Sequence, residues 1–143
     1  MSRPFGVYIH IPFCSSRCDY CAFATWTDRH HLQEQYLGAL RSDIERAGLP
    51  AVTSVFVGGG TPTLVDPHGL AAVLAAVPTI DGAEVTVECN PDDVTIPMFH
   101  TYAEAGVNRI SLGVQSMVPH VLEALGRRHR PENVEFAVAA AAI

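Results

Sequence analysis

Apolar runs short enough to be strands alternate along the chain with stretches of helical spacing. Residues 6–11 come first: Val7, Ile9 and Ile11 share one face and Tyr8 and His10 the other, because strand side chains alternate. A cysteine-rich loop follows, then a predicted helix over 28–47. Leu32, Tyr36, Leu37, Leu40 and Ile44 form its apolar stripe, Asp28 is placed to cap it, and Gly48-Leu49-Pro50 ends it. A second strand is predicted over 54–58, running into Gly58-Gly59-Gly60-Thr61-Pro62. The next helix starts at Asp66-Pro67, a capping residue followed by proline at the first helical position. The pattern then predicts a strand over 84–88, a helix over 96–105 stopped by Gly106, a strand over 109–114, a short helix over 118–125 and a last helix from Pro131.

This alternation argues for βα units and a parallel sheet, an α/β fold. A parallel sheet with helices on both faces reads as nearly continuous apolar strands. Here the faces divide instead. Val85, Val87 and Cys89 oppose Glu84, Thr86 and Glu88; Ile110, Leu112 and Val114 oppose Arg109, Ser111, Gly113 and Gln115. Two arrangements fit: a curved sheet with outer helices and a polar cavity inside, or an open sheet with one face in water. In the first, polar groups at the C-terminal ends of the strands form a site. Four parallel strands leave an edge that is normally paired or covered, and no stop signal closes the last helix over 139–143. Residues 1–143 are therefore expected to be part of a single domain, or to need a partner.

At 48% hydrophobic and 17% charged residues the chain can bury a core. No apolar run approaches the ~18 residues of a membrane span, and the first residues lack the apolar core of a secretory signal; a soluble, cytoplasmic protein is expected. The net charge is −6, and all nine basic residues are arginine. Such a balance argues against nonspecific nucleic-acid binding, which rests on neutralising phosphates.

Three of the four cysteines, Cys14, Cys18 and Cys21, fall in one C-x3-C-x2-C loop directly after a strand. In a reducing compartment that clustering points to metal or redox chemistry rather than disulfides. Thiolates suit zinc and iron–sulfur clusters alike. Structural zinc wants a fourth ligand. Cys89 should point away from Glu88 into the core as a small hydrophobe, which leaves His30 and His31, on a predicted helix. Three thiolates on a four-iron cluster leave one iron open for a substrate or cofactor. The triglycine has two readings: a tight strand-to-helix turn, or bare backbone that a ligand approaches closely.

The stretches Tyr8-Ile-His-Ile-Pro-Phe-Cys14, Gly58-Gly-Gly-Thr-Pro-Thr63, Glu88-Cys-Asn-Pro91, Gly106-Val-Asn-Arg-Ile-Ser-Leu-Gly-Val-Gln115 and Leu125-Gly-Arg127 together resemble the radical S-adenosylmethionine (SAM) superfamily. More narrowly, they resemble its oxygen-independent coproporphyrinogen III oxidase-like group. The resemblance implies the N-terminal half of a partial (β/α)6, TIM-like barrel with parallel strands and outer helices. It implies that Cys14, Cys18 and Cys21 ligate a [4Fe–4S] cluster whose fourth iron chelates SAM. Tyr8 would then sit by the cofactor, Gly59, Gly60 and Thr61 would contact it, and Glu88, Gln115 and Arg127 would bind it or lie near it. Tyr20 would pack on SAM or shield the cluster, and His10 would approach the sulfonium or simply pack in the core.

Within that group, the oxidases tend to carry a further cysteine two residues after the third cluster cysteine. Phe23 stands there. Together with the short segment before Tyr8, this resembles HemW-type haem chaperones, which bind haem and pass it to client proteins. The alternative is an enzyme decarboxylating coproporphyrinogen III in porphyrin biosynthesis. No haem ligand is identifiable: His68, His100, His120 and His129 are read as surface or helix residues.

Overall fold

The computed structural model describes residues 4–143. Strand β1, Gly6–Ile11, has the predicted bounds; β2 is Val52–Gly59, β3 Thr79–Cys89 and β4 Arg109–Leu112. All pair in parallel in the order β1-β2-β3-β4. Register places Val7, Val55 and Val85 side by side, as it does Ile9, Val57, Val87 and Ile110. These rows and Cys89 form one apolar face, buried except at Val7 and Ile110, which are half-buried. Helices α1 (Gln33–Ala47), α2 (Pro67–Ala75), α3 (Ile96–Glu104) and α5 (Pro131–Ala141) cover it with Leu37, Leu70, Leu74, Phe99, Tyr102 and Ala137. Each fully buried Val, Leu or Ile contributes about 1.5–3 kcal/mol, so this face carries most of the stability. Helix α4, Pro119–Ala124, is short and precedes α5.

The other face carries Tyr8, His10, Phe56, Thr86, Glu88 and Ser111. It is the polar side expected from the alternation, and Tyr8 on it is 57% exposed. Local signals hold where the capping chemistry is explicit. The Asp66 carboxylate accepts the Gly69 N–H at 2.8 Å, and Thr95 Oγ1 accepts that of Met98 at 3.2 Å. Gly106, at φ 89°, stops α3 in the left-handed conformation that glycine adopts freely.

Three of the boundaries that differ from expectation have a clear physical cause. The first helix does not start at Asp28: a 3-10 turn, His30–Leu32, leads into α1, and Asp28 caps neither. Trp26 still belongs to the cysteine loop, its N–H bonded to the Pro12 carbonyl at 2.7 Å. Strand β3 begins five residues before the predicted 84, because Thr79 pairs with Val52 beyond a register shift in β2. Strand β4 stops at Leu112: the Val114 N–H turns back to the Leu112 carbonyl at 2.9 Å, and Gln115 takes φ 58°. Val114 and Gln115 are thus not strand residues, and Gln115 leaves the sheet through a left-handed turn. No helix among the described residues is long and apolar enough to cross a membrane.

Candidate functional site

The cysteine loop is fixed at its base and free at its thiols. Phe13, 2% exposed, packs edge-on against Tyr36, with ring centroids 5.6 Å apart, and Tyr36 Oη donates to the His10 carbonyl at 2.6 Å. The Cys14 N–H reaches the Trp26 carbonyl at 3.1 Å, and the Cys21 N–H closes a turn on the Cys18 carbonyl at 3.0 Å. His30 straps the far side. Its Nε2 donates to the Cys14 carbonyl at 3.0 Å, while its Nδ1 accepts from Gln33 at 3.2 Å. His30 is therefore a brace for the loop, not a fourth ligand. All three thiols are half-buried and unpaired with one another.

The triglycine makes room for the protein's own groups. A Cβ on Gly58 would lie 2.6 Å from the Glu88 carboxylate, and one on Gly59, at φ 107°, 2.4 Å from the His10 ring. One on Gly60 would lie 2.6 Å from the Phe13 carbonyl. Side chains at these places would push apart strand ends and the cysteine loop. The motif thus welds β2 to the loop: the Gly60 N–H donates to the Ile11 carbonyl and the Thr61 N–H to the Phe13 carbonyl, each at 2.7 Å. The Thr61 hydroxyl in turn sits 3.7 Å from the Cys14 sulfur.

Cys14, Cys18, Cys21, Tyr20, Gly59, Gly60, Thr61, Glu88, Gln115 and Arg127 all line one cavity of about 380 Å³. That volume lies within the ~300–1,000 Å³ usual for small-ligand sites. Glu88 Oε2 accepts the Gly59 N–H at 3.3 Å. The Arg127 guanidinium holds the Gly113 carbonyl and stands 3.8 Å from the Cys18 sulfur. Tyr20 lies against both Arg127 and Cys18; burial chiefly raises its pKa, and the adjacent guanidinium opposes the rise. Phe23 also lines the cavity.

Tyr8 is not part of that lining. It lies in the middle of β1, stacked on Phe56 with centroids 6.2 Å apart, and donates to His10 Nδ1 at 3.1 Å. Partial burial, then the negative charge of Glu88, raises its pKa. His10 Nε2 donates to the Ala24 carbonyl at 2.8 Å, so His10 is a packed residue tying β1 to the loop. Cys89 is buried as expected, and burial pushes its thiol up to about 12.

Among the described residues, Arg29, Arg41, Arg46, Arg109 and Arg130 pair with carboxylates within 4 Å. The other three arginines, Arg17, Arg127 and Arg128, all line the thiol cavity. Among the described residues, the arginines without a carboxylate partner thus sit on the cavity that the three thiols line, which suits a bound anionic group. The three sulfurs are spread round the cavity, and among the described residues no three His, Cys, Asp or Glu side chains gather on one point. The donor set fits a multi-iron cluster with an open position better than a closed zinc site, which draws four ligands onto one ion.

One residue departs from its expected place. His68, His100 and His120 are exposed, but His129, in the loop between α4 and α5, is 5% exposed and lies beside Arg127. Nothing in the sequence around it distinguishes it from its exposed counterparts.

The radical SAM superfamily profile matches residues 8–142. The haem chaperone HemW of Mycobacterium tuberculosis H37Rv is 42% identical over 140 residues, covering 90% of this chain and 36% of that protein. HemW of Escherichia coli K12 is 37% identical over 143 residues, covering 94% of this chain and 38% of its own length. The mouse protein named radical S-adenosyl methionine domain-containing protein 1, mitochondrial, is 39% identical over 132 residues, covering 87% of this chain and 30% of that protein. Among solved structures, E. coli coproporphyrinogen III oxidase (HemN), a radical SAM enzyme, superposes with a TM-score of 0.86 at 30% identity, covering 98% of this chain and 34% of that one. The chain therefore spans about a third of the length of these relatives.

Proposed function

The chain belongs to the radical SAM superfamily, and on that premise we propose that it is the N-terminal part of the core domain of a haem chaperone, which binds haem and passes it to client proteins. Membership implies a [4Fe–4S] cluster and SAM, which when bound supply one-electron cleavage of the SAM sulfonium. In this reading Cys14, Cys18 and Cys21 hold three irons. Thr61 and Arg127 donate toward the bound sulfur, as their present contacts with Cys14 and Cys18 suggest. Arg127 also supplies the countercharge for a carboxylate, which a guanidinium recognises well. Glu88 keeps one oxygen on Gly59 and offers the other to ribose hydroxyls. Gly59, Gly60 and Gln115 close the wall and Tyr20 screens the cluster side, while Tyr8, outside the lining, is placed beside the cofactor by the family resemblance alone. Free thiols suit a reducing compartment such as the cytoplasm.

What carries the chaperone branch is the 42% identity to a haem chaperone against 30% to the oxidase. Phe23, where the oxidases tend to carry cysteine, points the same way. The close superposition on the oxidase, at a TM-score of 0.86, keeps decarboxylation of coproporphyrinogen III as the second reading. Anaerobic reconstitution with iron and sulfide tests the shared site: about four irons per chain, lost in Cys18→Ala, with a reduced EPR spectrum that moves on adding SAM. Incubation with coproporphyrinogen III and with hemin then separates the branches. Hemin binding and transfer to an apo-haemoprotein, without protoporphyrinogen, supports the chaperone; protoporphyrinogen formation overturns it.

A further inference from the structure

Arg127 reaches the thiol cavity by way of a helix stop. Gly126, at φ 67°, ends α4, and the Arg127 N–H bonds back to the Leu122 carbonyl at 2.9 Å. That is the usual glycine-terminated closure of a helix. It turns the Arg127 side chain under β4, where the position of a Cβ on Gly113 would be only 3.1 Å from Nη2. Three nitrogens of the guanidinium then have three different partners: Nη2 the Gly113 carbonyl, Nη1 the Cys18 sulfur, and Nε the Nδ1 of His129 at 3.3 Å.

Because Arg127 Nε can only donate, His129 Nδ1 accepts, and the imidazole proton is on Nε2. Burial first, then the Arg127 charge, disfavours the imidazolium, while Asp92 and the Val114 carbonyl favour it. The Nε2 atom is sealed from solvent and makes no well-formed hydrogen bond among the described residues, although that carbonyl is near. A histidine with one nitrogen engaged and the other enclosed is poorly placed to ligate haem. It is well placed to set a neighbour's plane.

We propose that His129 is a positioning residue for Arg127: by accepting from Nε it fixes the plane of the guanidinium, so that Nη1 faces Cys18 and the open cavity. The proposal rests on the reading of Arg127 as a contact for SAM and the cluster. Removing the acceptor leaves the guanidinium held only through Nη2 and Nη1, by the Gly113 carbonyl and the Cys18 sulfur, and so loosens its aim. Partners behind a metal site's contacts typically matter about 10–100-fold in affinity.

The test is SAM affinity, read from the EPR titration of the reduced, reconstituted protein, in His129→Phe, His129→Asn, Arg127→Met and the Phe/Met double variant. His129→Phe should bind SAM about tenfold more weakly with its iron content unchanged. His129→Asn, which restores an acceptor near the Nδ1 position, should recover most of that loss. The double variant should be no weaker than Arg127→Met alone. Nitrogen-15 spectra of the wild-type chain should show His129 protonated on Nε2, a readout that needs neither variant nor cofactor. Protonation on Nδ1, or a double variant whose losses multiply, overturns the positioning role. Unchanged SAM binding in Arg127→Met overturns the underlying reading of Arg127 instead, and the proposal with it.

Discussion

At the scale of single residues, the cysteine loop keeps its place against β2 because Gly60 has no side chain to meet the Phe13 carbonyl. The C-x3-C-x2-C loop was legible because three thiols so close together have few structural uses, and all three line one cavity. The glycines were legible as a motif but not as a mechanism. Their missing side chains make way for Glu88, His10 and the loop backbone, contacts made with residues distant in sequence. Gly60→Ala should therefore cost about 1–3 kcal/mol in a urea titration, as overpacking does. It should also lower iron uptake on reconstitution, since the atom it strikes is the Phe13 carbonyl, next to Cys14. Gly38→Ala is the control: nothing lies within 4 Å of its Cβ position in α1, and it should gain about 0.5–1 kcal/mol. His129 was not legible. A buried histidine between helices looks, in sequence, like the exposed ones at 68, 100 and 120.

At the scale of elements, the caps at Asp66 and Gly106 were read correctly, while the cap expected at Asp28 and the long-range pairings were not. Asp66-Pro67 and Gly106 mark their helix ends by local chemistry. The start of α1 moved because Trp26 and His30 are held by the cysteine loop, and β3 lengthened because Val52 offers Thr79 a partner. Asn108 shows the same kind of hidden pairing. Its side chain accepts the Val85 N–H at 2.9 Å and donates to the Ala83 carbonyl at 2.8 Å, extending the edge of β3 where β4 has not yet begun. Asn108→Ala leaves both backbone groups without that partner. It should lower the urea-unfolding free energy by about 1–3 kcal/mol. Equal stability of Asn108→Ala and the parent would show that water replaces the clip.

At the scale of the whole molecule, the alternation of apolar and polar strand faces predicted both layers: helices on one side, the polar side carrying Glu88 and the cavity at its end. The buried layer also sets a limit in alkali. Cys89 has its thiol pushed by burial from the ordinary 9.0 to about 12. Above pH 9 the unfolded chain releases this proton and the folded one keeps it, so the folded state binds more protons and stability falls as pH rises. This contribution is fully present below pH 9 and is lost across the interval up to about 12, at roughly 1.4 kcal/mol per pH unit at most. Cys89→Val should flatten that part of a stability–pH curve measured by urea unfolding; an unaltered slope would assign it to other groups. The strand order β1-β2-β3-β4 has a consequence of another kind. Each strand docks on the one made just before it, so a chain leaving the ribosome can lengthen its sheet from one edge without waiting for a later partner. The cavity is then written in the order of translation: the thiols first, the glycine weld second, Glu88 third, and last the arginine and histidine that complete its charged wall.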